Sequence, residues 1–166
     1  MSIARISCAA LALAASMSTA SAEMLPTAPY LPLDKAVQAA NAAVMACKEK
    51  GFAVSAAVVA RSGSTSALLR GDGAGPHTTG SATGKAFTSA SLGRPSAQLA
   101  TVIADNPQMA GLRDMDPRLV ILGGGLPVRI DGALVAGIGV GGAPSAAVDA
   151  ECAVAGLAAI GAEIPE

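Results

Sequence analysis

The sequence predicts an α+β fold in a single domain, an antiparallel β-sheet flanked by helices. Three observations carry this reading. The periodic segments run helix, two strands, two helices, three strands, helix, which suits hairpin connections better than a wound parallel sheet. Two-residue turns, Ser62-Gly63 and Asp131-Gly132, separate strand-like runs. At 166 residues, 52% hydrophobic and 14% charged, the chain is far too apolar for a disordered one and long enough for one core.

Residues 1–22 read as a leader. Arg5 precedes an apolar stretch over residues 6–17, and Ala20-Ser21-Ala22 supplies the small residues of a cleavage site before Glu23. The stretch is shorter than the roughly 20 residues a membrane span needs. Cys8 lies inside it, too early for a lipid attachment. The expectation is a cleaved signal peptide and a periplasmic or extracellular chain with no membrane span after cleavage. That chain has ten basic and twelve acidic residues and no basic block, so nucleic-acid partners are excluded. Its only aromatic residues are Phe52, Phe87 and Tyr30, which leaves Ala, Val, Leu, Ile and Met to fill the core.

Residues 23–32 contain three prolines and are expected to form an extended arm before a domain over residues 33–162. Over residues 33–50, Leu33, Val37, Ala40, Val44 and Cys47 recur at helical spacing, and Gly51 stops the helix. Residues 53–61 read as a strand apolar on both faces, hence central in a sheet, with residues 64–70 as its hairpin partner. A loop over residues 71–76 leads to a helix capped by Thr78 or Thr79 and ended by Gly93 after Leu92. A second short helix covers residues 96–105. After irregular chain around Pro107 and Pro117, residues 119–122 read as a short strand. Residues 128–130 and 133–140 flank Asp131-Gly132, whose type I′ turn needs positive φ at both positions. A strongly apolar helix over residues 145–160 closes the chain and needs cover on more than one side, from the sheet and from a second subunit.

Several motifs fail on their context. Gly137, Gly139 and Gly142 match G-x-G-x-x-G, but no second parallel strand follows to complete a dinucleotide fold; close helix-to-strand approach explains them better. Gly80, Gly84 and Lys85 miss the phosphate-loop spacing, and Ala86 stands where a hydroxyl is required. No serine sits in a nucleophile elbow, and one histidine with two separated cysteines does not make a zinc site. Cys47 and Cys152 fall on apolar helix faces, where free cysteine packs as a small hydrophobe. An oxidising compartment would permit them to pair, but spacing alone does not place their Cα atoms.

His77 is the informative polar residue. It follows Pro76 just before a helix, where the dipole does not favour a cation, and metal ions bind the neutral ring. The neighbouring glycines leave room for a flat ligand. The alternative is a surface histidine making a capping hydrogen bond. Arg70 and Lys85 are near enough in sequence to meet ligand carboxylates, or else to remain solvated.

Residues 33–160 resemble the GlcG/HbpS-like family of haem-binding proteins, which includes the C-terminal domain of PduO-type proteins. The likeness rests on Ala56-Ala57-Val58-Val59, Arg70-Gly71-Asp72-Gly73-Ala74 and Gly84-Lys85-Ala86-Phe87-Thr88. It continues through the segments 121–128, Asp131-Gly132, 137–143 and Asp149-Ala150-Glu151-Cys152-Ala153. Ala60, Gly71 and Gly141 depart from the family's usual Asp, Met and Ser. The resemblance implies a profilin-like sheet between helices, a homo-oligomer, and haem as cofactor. His77 would then be the axial ligand to haem iron, Arg70 or Lys85 would meet the propionates, and Met109 or Met115 would fill the other axial position. Such a protein sequesters, delivers or senses haem, with haem degradation as the possible activity. Two alternatives stand beside it: an enzyme or binding protein for a small hydroxy acid or diol, built on Lys85 and Asp149 under a loop at residues 123–125, and an oligomeric structural protein with no ligand.

Overall fold

The computed structural model describes Leu25 and residues 27–165. The leader lies outside the described residues, and the arm, described at Leu25 and over residues 27–32, contains neither helix nor strand there. Then follow α1 (Leu33–Glu49), β1 (Ser55–Ala60), β2 (Thr65–Arg70), α2 (His77–Leu92) and α3 (Ser96–Asp105). A 3-10 helix (Pro107–Asp114) leads to β3 (Gly125–Ile130), β4 (Ala133–Gly141) and α4 (Ala146–Ala159). The strands form one antiparallel sheet in the order β2-β1-β4-β3. β1 is interior, as its apolar faces demand, and β4 lies beside it. Asp131 and Gly132 take φ of 49° and 77°, the mirror-image turn their sequence encodes.

Alternate residues of β1 and β4 divide the core. Ala56, Val58, Ala136, Ile138 and Val140 pack under α1 and α4, whereas Ala57 and Val59 pack under Ala82, Ala86, Phe87 and Ala90 of α2. The result is a sheet between helical layers. On the α1/α4 side, Cys47 and Cys152 are joined by a disulfide with Cα atoms 5.5 Å apart. The second cover that α4 needs is supplied by α1 of the same chain.

The buried face of α1 differs from the expected one. Ala36, Ala39, Ala40, Ala43 and Cys47 are inside, while Leu33 and Val37 are 64% and 44% exposed. The cause is close helix packing: a Cβ at Gly156 of α4 would stand 2.7 Å from the Ala39 carbonyl oxygen, so only small side chains fit between these helices.

Residues 119–122 do not form a strand. This extended chain lies against α2, where the Val120 amide donates to Thr88 Oγ1 (2.9 Å) and the same hydroxyl lies 3.2 Å from the Val120 carbonyl oxygen. Ser96 Oγ donates to the Leu122 carbonyl (2.7 Å). Side chains satisfy backbone groups that a ladder would otherwise pair. Thr78 and Thr79 do not cap α2 either. The helix begins at His77, and their hydroxyls donate backward to the Gly75 and Pro76 carbonyls, 2.7 and 3.1 Å away. β3 starts before Pro127, which an edge strand tolerates.

Candidate functional site

Strand β2 ends at Arg70, and its guanidinium donates to the Ala74 carbonyl from Nε (2.9 Å) and from Nη2. That clamp fixes the turn leading to α2. The Ser55 and Thr78 hydroxyls, 2.7 Å apart and buried, pin the start of α2 to β1. His77 is therefore the exposed first residue of a helix held at its root. Its imidazole rests on Gly75, where an added Cβ would stand 2.7 Å from Cε1 and 2.9 Å from Nδ1. The ring stands in solvent with one edge against Gly75.

Lys85 has a different setting. It is 1% exposed, and Nζ donates to Asp149 Oδ2 (2.6 Å) and to the Val140 carbonyl (3.0 Å). Asp149, 3% exposed in the first turn of α4, accepts from the Ala143 amide at 3.0 Å through Oδ1. A carboxylate suits that helix end. The loop before β3 closes over the pair, since a Cβ at Gly124 would stand 2.6 Å from Asp149 Cβ and 3.1 Å from Lys85 Nζ. The sequence thus placed Lys85, Asp149 and the glycine loop together, but the structure fills the space between them. The pair ties α2 to α4 across the end of the sheet.

Met109 lies on the 3-10 helix, 39% exposed, and Met115 just after it, 60% exposed. The same segment continues to Arg118, which the sequence did not single out. Its guanidinium lies 4.0 Å over the centre of the Phe87 ring, a cation–π contact. Asp116 accepts from Arg118 Nε (2.9 Å), Nη2 (2.6 Å) and the backbone amide (2.9 Å). These hydrogen bonds lower the Asp116 pKa to about 2 and raise that of Arg118. No motif announces Arg118; only the fold brings it to Phe87.

Imidazole and thioether are donor types that haem iron accepts, and His77, Met109 and Met115 are all exposed. Among the described residues no cluster of His, Cys, Asp and Glu could hold a bare metal ion. A cavity of about 240 Å³ lies between α2 and the β1–β2 hairpin, lined by Val59, Gly80, Phe87, Arg118 and Val120 among others.

The family described as "Haem degrading protein HbpS-like" matches residues 31–158. A double mutant of Streptomyces reticuli HbpS is 46% identical, with TM-score 0.78 over 87% of this chain and 97% of that one. The Klebsiella pneumoniae protein ORFY is 26% identical, with TM-score 0.77 over 87% of this chain and 100% of that one. A structure described as a PduOC:Heme complex shares the fold at 24% identity, with TM-score 0.72 over 81% of this chain and 98% of that one. No curated protein matches the chain.

Proposed function

The chain belongs to the HbpS-like family, and from that premise we propose that it is an exported haem-binding protein that sequesters, delivers or senses haem. The family match over residues 31–158 carries this reading. It is supported by the haem complex of PduOC, which has the same fold. His77 is the axial ligand, exposed and held on Gly75. Met109 or Met115 supplies the second axial position, and Arg70, at the base of the same loop, meets a propionate. A bound haem supplies iron ligand exchange and redox chemistry; the protein supplies the ligand atoms, their orientation and the counter-charge.

Export places the mature chain in the periplasm or outside the cell. Supporting this are the sequence of residues 1–22 and the Cys47–Cys152 disulfide, a bond that persists in oxidising compartments. Self-association into a homo-oligomer would cover Leu33, Val37 and Met45, each exposed on α1. Lys85 and Asp149 lack the open space that an enzyme for a small metabolite needs. That leaves the surface imidazole as the better supported centre.

Titrating haemin into the purified protein, with the Soret band recorded for wild type and His77→Ala, tests the reading. A saturable, red-shifted band that His77→Ala abolishes or displaces is expected. Absence of any shift up to tens of micromolar, weaker than roughly −6 kcal/mol of binding, overturns it.

A further inference from the structure

The cavity beside α2 has features the fold does not explain. Gly80 lies inside a 16-residue helix, exposed, and an added Cβ there would meet nothing within 4 Å. Glycine in a helix costs up to about 1 kcal/mol relative to alanine, and Gly80 closes the first turn of this one. The other interior glycine, Gly84, is accounted for by Val120 and the Arg118 carbonyl, which leave no room for a side chain. The protein makes no comparable demand at Gly80. The adjoining wall is apolar: Val59 and Phe87 line the cavity with Val120, and Pro117 closes its end. Leu68 of β2 pairs with Ala57 and so faces the α2 side, yet it is 44% exposed because α2 lies over β4 and β1.

One cation meets this apolar surface. Arg118 lies over Phe87 with Nε and Nη2 held by Asp116, so its plane is fixed and Nη1 lies toward Gly63 on the cavity wall. Asp116 takes the Nε/Nη2 edge of the guanidinium, which leaves Nη1 to donate to the carboxylate of a flat, apolar ligand. His77, Gly80 and Gly84 share one face of α2, with His77 about 10 Å from Gly84 along the axis.

We propose that this trough seats one edge of the tetrapyrrole, with Gly80 giving close access to the helix, Leu68 and the half-buried Val120 providing apolar contact, and Arg118 meeting one of the two propionates. The inference rests on the haem reading and assigns its seat. At about 240 Å³ the trough is too small to enclose the ligand. It holds the ring edge and leaves the iron outside, on the side of His77.

Haemin and metal-free protoporphyrin IX are titrated into wild type, Gly80→Leu, Arg118→Gln, His77→Ala and Tyr30→Ala, with thermal melts of each apoprotein. Gly80→Leu should melt no lower than wild type and lose at least tenfold in affinity for both tetrapyrroles. Arg118→Gln should lose roughly threefold to tenfold for both, whereas His77→Ala should alter haemin alone. If wild type binds haemin and Gly80→Leu binds it equally well, the trough is overturned while the haem reading stands. The trough is likewise overturned if Tyr30→Ala alone loses affinity, because the ligand then occupies the cavity of about 430 Å³ between the arm and the β3–β4 turn. If wild type binds neither, both inferences fall.

Discussion

The two faces of the sheet hold their helices by different physics. Under α1 and α4, side chains fill the space: Val58, Val128, Ile138 and Leu157 are buried there, and a disulfide crosses between the helices. Where α2 crosses β4 there is almost no side-chain layer. A Cβ at Gly137 or Gly139 would run into the backbone of Ala86 and Ala90 or of Ala82 and Ala86, so helix and strand meet almost backbone to backbone. The first face gains stability from buried apolar area and a covalent link. The second gains it from close contact, and the buried Lys85–Asp149 pair ties its edge to α4. A helix sitting so low over β4 leaves part of edge strand β2 uncovered, and the proposed trough adjoins it.

Reducing or removing the Cys47–Cys152 bond is expected to have the largest effect. It closes a loop with sequence separation 105, and the chain-entropy model assigns about 4–5 kcal/mol to a loop of that size. Urea denaturation with and without reductant measures it; a change below about 1 kcal/mol would mean that packing alone holds α1 on α4.

Next comes Lys85→Met, which leaves the Asp149 carboxylate buried without its partner and should cost about 3–5 kcal/mol. The double variant Lys85→Met with Asp149→Leu should recover most of that loss in the same assay. If it does not, the pair positions the loop over residues 140–143 as well as neutralising itself.

The smallest effect sharpens the α2 face itself. Gly139→Ala drives a methyl into the Ala82 carbonyl and should cost about 1–3 kcal/mol. Gly80→Ala, on the open side of the same helix, should instead stabilise by about 0.5–1 kcal/mol. Equal shifts in melting temperature for the two would remove the distinction between a glycine required by packing and one that is not.

The legible parts of the fold were local. Gly51 and Gly93 ended α1 and α2 as expected, and the Asp131-Gly132 turn set the β3–β4 hairpin, because positive φ leaves a signature in single residues. The glycines of β4 read correctly as sites of close approach rather than a dinucleotide fingerprint. Residues 119–122 were misread because their composition suits a strand, whereas their partners are the Thr88 and Ser96 side chains, distant in sequence. The face of α1 was misread for a related reason: hydrophobic size favours Leu33 and Val37, while Gly156 admits only alanine.

At the site, the sequence by itself determined that His77 follows a glycine-rich loop at the start of a helix, since proline, glycine and helical periodicity are chain-local properties. Grouping Lys85 and Asp149 under the glycine loop was one alternative among those the sequence allowed. Only the tertiary structure decided that Lys85 is closed away with Asp149, that Cys47 and Cys152 are bonded, and that Arg118 stands over Phe87 beside the open backbone of Gly80. Each depends on distances between segments far apart in the chain, which the packing of helices on the sheet fixes and residue spacing does not encode.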